Sequence, residues 1–122
     1  MTARILAVDD SPTIRGLVSS VLRRAGFEVY LAGDGVEGVG SLSDADPALI
    51  ITDINMPRMD GFGLIEAVRA TGEYSSVPIL VLTTESSPEL KARARNAGAT
   101  GWIVKPFEDK HFVSVINRVL GR

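Results

Sequence analysis

The sequence predicts an α/β protein in which a parallel five-stranded sheet lies between two layers of helices. Three observations favour this fold. Short β-rich runs alternate with helical patterns along the chain, four of the five runs are almost entirely apolar, and capping signals separate them. Continuous apolar runs are typical of parallel strands that helices cover on both faces. We therefore expect a single doubly wound, three-layer α/β/α domain over residues 1–122.

The predicted strands are the runs richest in β-branched and other apolar residues, at 5–8, 27–31, 49–51, 79–82 and 102–104. Right-handed crossovers leave few topologies for such a sheet, and the flavodoxin-like order 2-1-3-4-5 is the usual one for five strands. In this order the switch point lies between strands one and three. Ligands bind there, beyond the carboxyl ends of the strands.

Capping residues mark the ends of several predicted helices. A Ser-Pro pair at 11–12 predicts the start of the first helix, and a second pair at 87–88 predicts the start of the fourth. Gly26 and Gly98 end these two helices. The third predicted helix spans 62–70, and the fifth has an apolar face at positions 112, 115, 116, 119 and 120.

The second predicted helix has the weakest pattern. Val36, Val39 and Leu42 have helical spacing, but Gly38 and Gly40 lie between them. Each interior glycine costs about 1 kcal/mol relative to alanine. We therefore expect this helix to be short or mobile.

The composition excludes several classes of function. The 122 residues carry 13 Lys and Arg against 15 Asp and Glu, a net charge of −2, so no basic excess favours a general nucleic-acid binder. Zero cysteines exclude disulfides, thiolate metal sites and a cysteine nucleophile. No apolar stretch approaches the roughly 20 residues that span a bilayer. We expect a soluble, cytoplasmic protein that does not associate with membranes.

Polar residues follow the strands at the predicted ligand-binding edge. Asp9 and Asp10 follow the first strand, Asp53 the third, Thr83 ends the fourth, and Lys105 follows the fifth. Three close carboxylates repel one another unless a cation is present, and an all-oxygen donor set suits Mg²⁺. A carboxylate beside Mg²⁺ can accept a phosphoryl group, a transfer that needs mainly positioning and charge neutralisation.

These residues, together with the motifs Asp-Ile-Asn-Met-Pro at 53–57, Met-Asp-Gly at 59–61 and Lys-Pro at 105–106, resemble those of a bacterial response-regulator receiver domain. The resemblance covers the whole chain and is closest to the CheY-like single-domain chemotaxis regulators. It implies a phosphorylation-activated switch rather than a turnover enzyme. The phosphodonor would be a histidine kinase.

The resemblance also implies a role for each residue of the edge. Asp53 accepts the phosphoryl group. Asp10 and Asp53 bind Mg²⁺, with Mn²⁺ as the alternative ion, together with the main-chain carbonyl of Asn55, and Asp9 binds through a water. Thr83 bonds a phosphoryl oxygen and Lys105 pairs with it. The bond between Lys105 and Pro106 is expected to be cis.

Further positions are assigned by the same resemblance. Asn55 and Glu85 tune the signal lifetime, and Trp102 occupies the place of a switch aromatic that is usually Tyr or Phe. Output partners bind the surface of the fourth helix, fifth strand and fifth helix. For a chemotaxis regulator the output partner is the flagellar motor switch, a phosphatase is a further partner, and the protein is a monomer.

Other readings of the same residues explain less. A flavodoxin cradles its flavin phosphate in a Ser, Thr or Gly loop after the first strand, whereas Asp9 and Asp10 would repel a phosphate that lacks a metal. A phosphatase of the haloacid-dehalogenase type needs a second aspartate two residues after the nucleophile, and Asn55 stands there. A different receiver role, as a phosphorelay intermediate or another stand-alone receiver outside chemotaxis, remains the alternative.

Overall fold

The computed structural model describes residues 2–122, in which strands and helices alternate. The strands of this region are β1 (Arg4–Val8), β2 (Glu28–Ala32), β3 (Leu49–Thr52), β4 (Ile79–Thr83) and β5 (Gly101–Val104). The helices are α1 (Pro12–Arg24), α2 (Gly35–Gly40), α3 (Leu42–Ala45), α4 (Gly61–Arg69), α5 (Pro88–Ala97) and α6 (Asp109–Val119). All strand pairs are parallel and the order is β2-β1-β3-β4-β5, which confirms the predicted sheet.

Helices cover both faces of the sheet, so the predicted three layers are also confirmed. Successive side chains of a strand point to opposite faces. Accordingly, Ile5 belongs to a core cluster with Leu22 of α1 and Phe112 of α6, while Leu6 belongs to a second cluster with Leu64 of α4. Burial on both faces explains why these strands have nearly continuous apolar sequences.

The helix ends follow the capping signals. The Ser11 hydroxyl accepts a hydrogen bond from the amide of Ile14 at 3.3 Å, and Ser87 begins α5 in the same way. Gly98 ends α5 with a φ of +114°, in the left-handed region that favours glycine. The longest of these helices, α1, has 13 residues. Among residues 2–122, no helix is long and apolar enough to cross a membrane.

The second predicted helix is two helices, so the expectation of one helix is wrong, whereas the expectation of a short helix is confirmed. α2 has 6 residues and α3 has 4, and they meet at Ser41. Gly38, in the middle of α2, has a packing role, because a Cβ at this position would lie 3.1 Å from Val8 and 3.3 Å from Leu64. Glycine therefore allows α2 to approach β1 and α4 closely.

The parallel arrangement gives the sheet two chemically different edges. The loops that follow the strands lie at one edge, which we call the carboxyl edge. The loops that precede the strands lie at the other, which we call the amino edge. Because every strand runs in the same direction, all the polar residues that follow strands in the sequence are carried to the carboxyl edge.

Candidate functional site

Three residues of the carboxyl edge are held by main-chain hydrogen bonds that extend the sheet beyond its strands. The Asp9 amide donates to the Ala32 carbonyl at 3.1 Å, and the Asp53 amide donates to the Val8 carbonyl at 3.0 Å. The Lys105 amide donates to the Thr83 carbonyl at 2.7 Å. The backbones that carry these side chains are therefore fixed by the sheet itself.

The Lys105 ammonium lies between two carboxylates. Its Nζ donates to Asp9 Oδ2 at 2.9 Å and to Asp53 Oδ2 at 3.1 Å. All three side chains are largely buried, with 8 to 12% of their area exposed. Burial lowers the pKa of Lys105, but the hydrogen bonds and negative charges of Asp9 and Asp53 outweigh burial and raise that pKa above its ordinary value. The ammonium is therefore protonated at neutral pH.

Asp10 adds a third carboxylate to this cluster. One carboxylate oxygen from each of Asp9, Asp10 and Asp53 lies within 4.8 Å of the other two. Asp9 is buried, Asp53 is half-buried and Asp10 is exposed. Three carboxylates against one ammonium leave an excess of negative charge, which favours a bound cation. An all-oxygen donor set that is open to solvent fits Mg²⁺, which retains several waters.

Each buried carboxylate also has a main-chain donor that fixes its orientation. The Ser11 amide donates to Asp9 Oδ1 at 2.9 Å, and the Ile54 amide donates to Asp53 Oδ1 at 2.7 Å. In both residues the second oxygen, Oδ2, faces Lys105. These contacts orient both side chains before any ligand binds.

A second group of predicted residues meets at Glu85. The Glu85 amide donates to the Thr83 hydroxyl at 3.3 Å, and the Glu85 carbonyl accepts from Trp102 Nε1 at 2.9 Å. The Glu85 carboxylate accepts from Asn55 Nδ2 at 3.4 Å, across the mouth of the site. The structure thus brings Asp9, Asp10, Asp53 and Lys105 into one group, and Thr83, Asn55, Glu85 and Trp102 into an adjacent one.

The bulky aromatic at position 102 has a polar partner. A buried indole N–H needs an acceptor, and the carbonyl of Glu85 provides one. The ring is half-buried against the core cluster that contains Leu64 and Ala94.

The bond between Lys105 and Pro106 is cis, as the resemblance implied.

Three neighbouring residues were missed by sequence reasoning. Arg15 of α1 donates from Nη1 to the Asp9 carbonyl at 2.7 Å. Arg58 Nε donates to Asp34 Oδ2 at 2.8 Å, and Asp34 Oδ1 accepts from the Glu37 amide at 2.9 Å. The hydrogen bonds from Arg58 and the Glu37 amide hold the pKa of Asp34 below its ordinary value. An acidic residue three positions before Glu37 is a helix-capping signal that could have identified Asp34, whereas nothing local identifies Arg58.

The cavity directly beside the carboxylate cluster is small. A cavity lined by Asp9, Arg15 and Asp53 has about 10 Å³, about the space that one water needs. A groove of about 690 Å³ lies elsewhere, between α1 and α6, and none of the predicted site residues lines it. The space beside the carboxylates therefore fits a water or an ion, and a separate cavity of about 280 Å³ at the carboxyl edge is lined by Thr84, Lys105 and Phe107.

Comparison with known proteins points to one family. The sequence pattern of the response regulator receiver domain matches residues 5–117. The chemotaxis protein CheY1 of Helicobacter pylori strain J99 is 38% identical over 120 residues, which are 97% of each chain. The chemotaxis protein CheY4 of Vibrio cholerae has a structure with a TM-score of 0.93 and 47% identity, covering 98% of this chain and 99% of that one.

A third relative belongs to another kind of protein. The receiver domain of the sensor histidine kinase PA1611 of Pseudomonas aeruginosa PAO1, solved with a magnesium ion coordinated in its active-site cleft, has a TM-score of 0.91. It is 27% identical, and the match covers 100% of both chains. From the match over residues 5–117 and the shared fold, we conclude that this protein belongs to the response regulator receiver domain family, whose members are signalling switches that receive a phosphoryl group from a histidine kinase.

Proposed function

We propose that residues 1–122 act as a single receiver domain in which Asp53 accepts a phosphoryl group from a phosphohistidine of the kinase. The observation that carries this proposal is the Lys105 ammonium, held 2.9 Å from Asp9 and 3.1 Å from Asp53. A preorganised cation at this position can neutralise charge on the transferring group. The phosphorus–nitrogen bond of the donor breaks as a bond from an Asp53 oxygen to phosphorus forms.

The proposed metal is Mg²⁺, with Mn²⁺ as the alternative ion. Asp10, Asp53 and the main-chain carbonyl of Asn55 would hold it, and Asp9 would bind through a water. The excess of carboxylates over ammonium groups in this cluster supports the assignment. When bound, the ion supplies charge neutralisation for the phosphoryl oxygens.

The second group of site residues senses and times the modification. The Thr83 hydroxyl leaves the Glu85 amide and bonds a phosphoryl oxygen. Asn55 and Glu85, which meet 3.4 Å apart at the mouth, control how water reaches the acyl phosphate and so set its lifetime. Because Trp102 is bound to the Glu85 carbonyl, a shift of the loop after β4 also moves the indole.

The output is proposed to be chemotaxis, through binding of the flagellar motor switch at the surface of α5, β5 and α6, with a phosphatase as a further partner. The names of the Helicobacter and Vibrio relatives support this output. A phosphorelay intermediate is the second candidate, since the Pseudomonas relative is the receiver domain of a sensor histidine kinase. A pulldown with the phosphorylated protein separates them: a flagellar switch protein supports the first, and a histidine phosphotransfer domain supports the second.

The phosphoacceptor is tested with a small acyl phosphate donor and Mg²⁺. Intact mass should show one added phosphoryl group that is stable in acid and labile to hydroxylamine. Asp53→Asn should take up none, whereas Asp44→Asn, a matched change of an exposed aspartate in α3, should be phosphorylated like the parent. Equal incorporation in the parent and Asp53→Asn contradicts the assignment.

The switch is tested with beryllofluoride, which mimics the phosphorylated state. Trp102 is the only tryptophan, so its emission reports this position without labelling. Beryllofluoride with Mg²⁺ should shift the emission to the blue and slow quenching by iodide, and Thr83→Ala should abolish both changes. Constant emission and quenching while beryllofluoride binds would show that Trp102 is not the switch.

A further inference from the structure

The loop between β3 and α4 contains a strained turn. The Met59 amide donates to the Pro57 carbonyl at 2.7 Å, which makes residues 57–59 a three-residue γ-turn. Arg58 at its centre has a φ of +64°, and the form of this turn with positive φ is rare and strained. A non-glycine residue keeps such a conformation only where the surrounding structure holds it.

Contacts with the start of α2, at its N-cap Asp34 and first residue Gly35, hold this turn in place. The guanidinium of Arg58 donates to Asp34 at 2.8 Å, and the amide of Gly35 donates to the Met59 carbonyl at 3.0 Å. A Cβ on Gly35 would lie 2.6 Å from the Met59 carbonyl oxygen, so only glycine permits this approach. The turn at 57–59 is therefore joined to the start of α2 by one side-chain contact and one main-chain contact, each between residues 24 positions apart in the chain.

Asp34 is a firm anchor for the arginine. It is only 7% exposed, and its other oxygen caps α2 by accepting from the Glu37 amide at 2.9 Å. Its orientation is thus set by a helix rather than by Arg58. The Arg58 side chain, in contrast, is 60% exposed, and exposed ion pairs contribute little to global stability. The effect of this contact is therefore expected in the loop and not in the fold.

The loop that this contact holds also carries Asn55. At the base of the loop the Gly61 amide donates to the Ile54 carbonyl at 2.8 Å, so both the base and the turn are fixed. Asn55 lies between these two fixed points, with its side chain reaching Glu85. The direction of its main-chain carbonyl depends on where the turn is held.

We infer that Arg58 is a positioning residue, whose ion pair with Asp34 holds the loop so that the Asn55 carbonyl faces the metal site. This inference rests on the proposed function, because it assigns that carbonyl to Mg²⁺. Groups that orient metal ligands change metal affinity about 10- to 100-fold when they are removed. The ion pair therefore makes the Mg²⁺ affinity depend on Asp34, which lies outside the loop that carries Asn55.

The test measures Mg²⁺ affinity by calorimetry and by Trp102 emission. Arg58→Ala should weaken binding about tenfold, with little change in the melting temperature without Mg²⁺. Arg58→Lys should recover part of the affinity, since it can still pair with Asp34. Arg118→Ala, which removes another exposed arginine on α6, should bind like the parent.

Two further variants separate the ion pair from the turn. Arg58→Gly accepts a positive φ without strain but cannot pair, so it should bind as weakly as Arg58→Ala; parent-like binding would overturn the inference. The double variant Asp34→Asn with Arg58→Ala should lose no more affinity than Arg58→Ala alone, and additive losses would also overturn it. A parent that does not bind Mg²⁺ would instead refute the proposed function.

Discussion

Two part-buried cations lie at opposite edges of the sheet, and their partners differ in kind. At the carboxyl edge, Lys105 donates to the carboxylates of Asp9 and Asp53. At the amino edge, Arg69 of α4 donates to main-chain carbonyls. Its guanidinium bonds the Val77 carbonyl at 2.6 Å, that of Ser75 at 3.1 Å, and that of Gly98 at 2.8 and 3.0 Å.

The pKa values of the two cations shift in opposite net directions, although burial lowers both. Burial lowers the pKa of Arg69, whereas the neighbouring carboxylates raise the pKa of Lys105. The carbonyl partners of Arg69 carry no net charge and do not titrate, so this contact joins the end of α4 to the segments before β4 and β5 without depending on an ionisable partner. The carboxylate partners of Lys105 belong to the acidic cluster, whose excess of negative charge favours a bound cation. The difference teaches that the cation at the amino edge is held by the backbone alone, whereas the cation at the carboxyl edge is held by carboxylates that can also serve a metal ion.

The largest effect is expected for Lys105→Met. Removal of the ammonium leaves two largely buried carboxylates without a counter-charge, and loss of one partner from a buried ion pair costs about 3–5 kcal/mol. The free energy of unfolding in the absence of metal should fall by about that amount, and Mg²⁺ should restore most of it. Denaturant unfolding with and without Mg²⁺ measures both values. If Mg²⁺ does not restore the lost free energy of unfolding, Lys105 has the same purely structural role as Arg69.

Arg69→Met should cost somewhat less, and Mg²⁺ should not restore it. A hydrogen bond from a charged donor contributes about 1.5–3 kcal/mol, and the variant leaves part-buried carbonyls without a donor. We expect a loss of about 3 kcal/mol, seen as the same fall in unfolding free energy with and without Mg²⁺. Phosphorylation of the folded fraction should be unchanged. Slower phosphorylation at temperatures where Arg69→Met is fully folded would show that the amino edge is not purely structural.

Asp10→Asn should remove most of the response to Mg²⁺. In the parent, Mg²⁺ at 100 times its dissociation constant should stabilise the fold by about 2.7 kcal/mol. Loss of one carboxylate relieves repulsion, so the variant should be more stable than the parent without metal. Melting curves over a Mg²⁺ series measure both effects. An unchanged Mg²⁺-dependent shift would falsify Asp10 as a ligand.

The smallest effect is expected at acid pH. The folded pKa of Asp34 lies below its ordinary value of 3.8, so its stabilisation is present above that value and is lost as pH falls through the folded pKa. Asp34→Asn should therefore lose less stability than the parent below pH 4, while Arg69→Met should follow the parent. Thermal melting across this range tests whether acid sensitivity lies at the carboxyl edge, and equal pH curves for the parent and Asp34→Asn would place it elsewhere.

Three charged residues of the carboxyl edge, Asp9, Asp53 and Lys105, were predictable from sequence because each follows a predicted strand. Once the strand order is known, Asp9 and Asp53 must lie side by side on adjacent strands. Lys105 follows β5, which β4 separates from β3, and reaches both carboxylates with its long side chain. The break between α2 and α3 at Ser41 was not predictable from the helical spacing of Val36, Val39 and Leu42. The close contact of Gly38 with Val8 and Leu64 was not predictable either, because it is a tertiary property.

The contacts of the two arginines were also beyond sequence reasoning. Arg69 reaches a carbonyl 29 residues away, and Arg58 reaches a carboxylate 24 residues away. Every residue has a main-chain carbonyl, so no sequence pattern indicates that the Gly98 carbonyl accepts a hydrogen bond from Arg69. The positive φ of Arg58 likewise cannot be predicted from the sequence, because it is a property of the folded backbone.

The main-chain bonds that extend the sheet to Asp9, Asp53 and Lys105 have a consequence for how long the site stays assembled. Their amide protons are bonded across neighbouring strands, so hydrogen exchange at these amides requires the sheet to open. Adjacent strands lie about 4.8 Å apart. Asp9 and Asp53 follow the adjacent strands β1 and β3, so their carboxylates lie close together. A local opening of the surrounding loops that leaves these three bonds intact therefore leaves the backbones of the cluster in place.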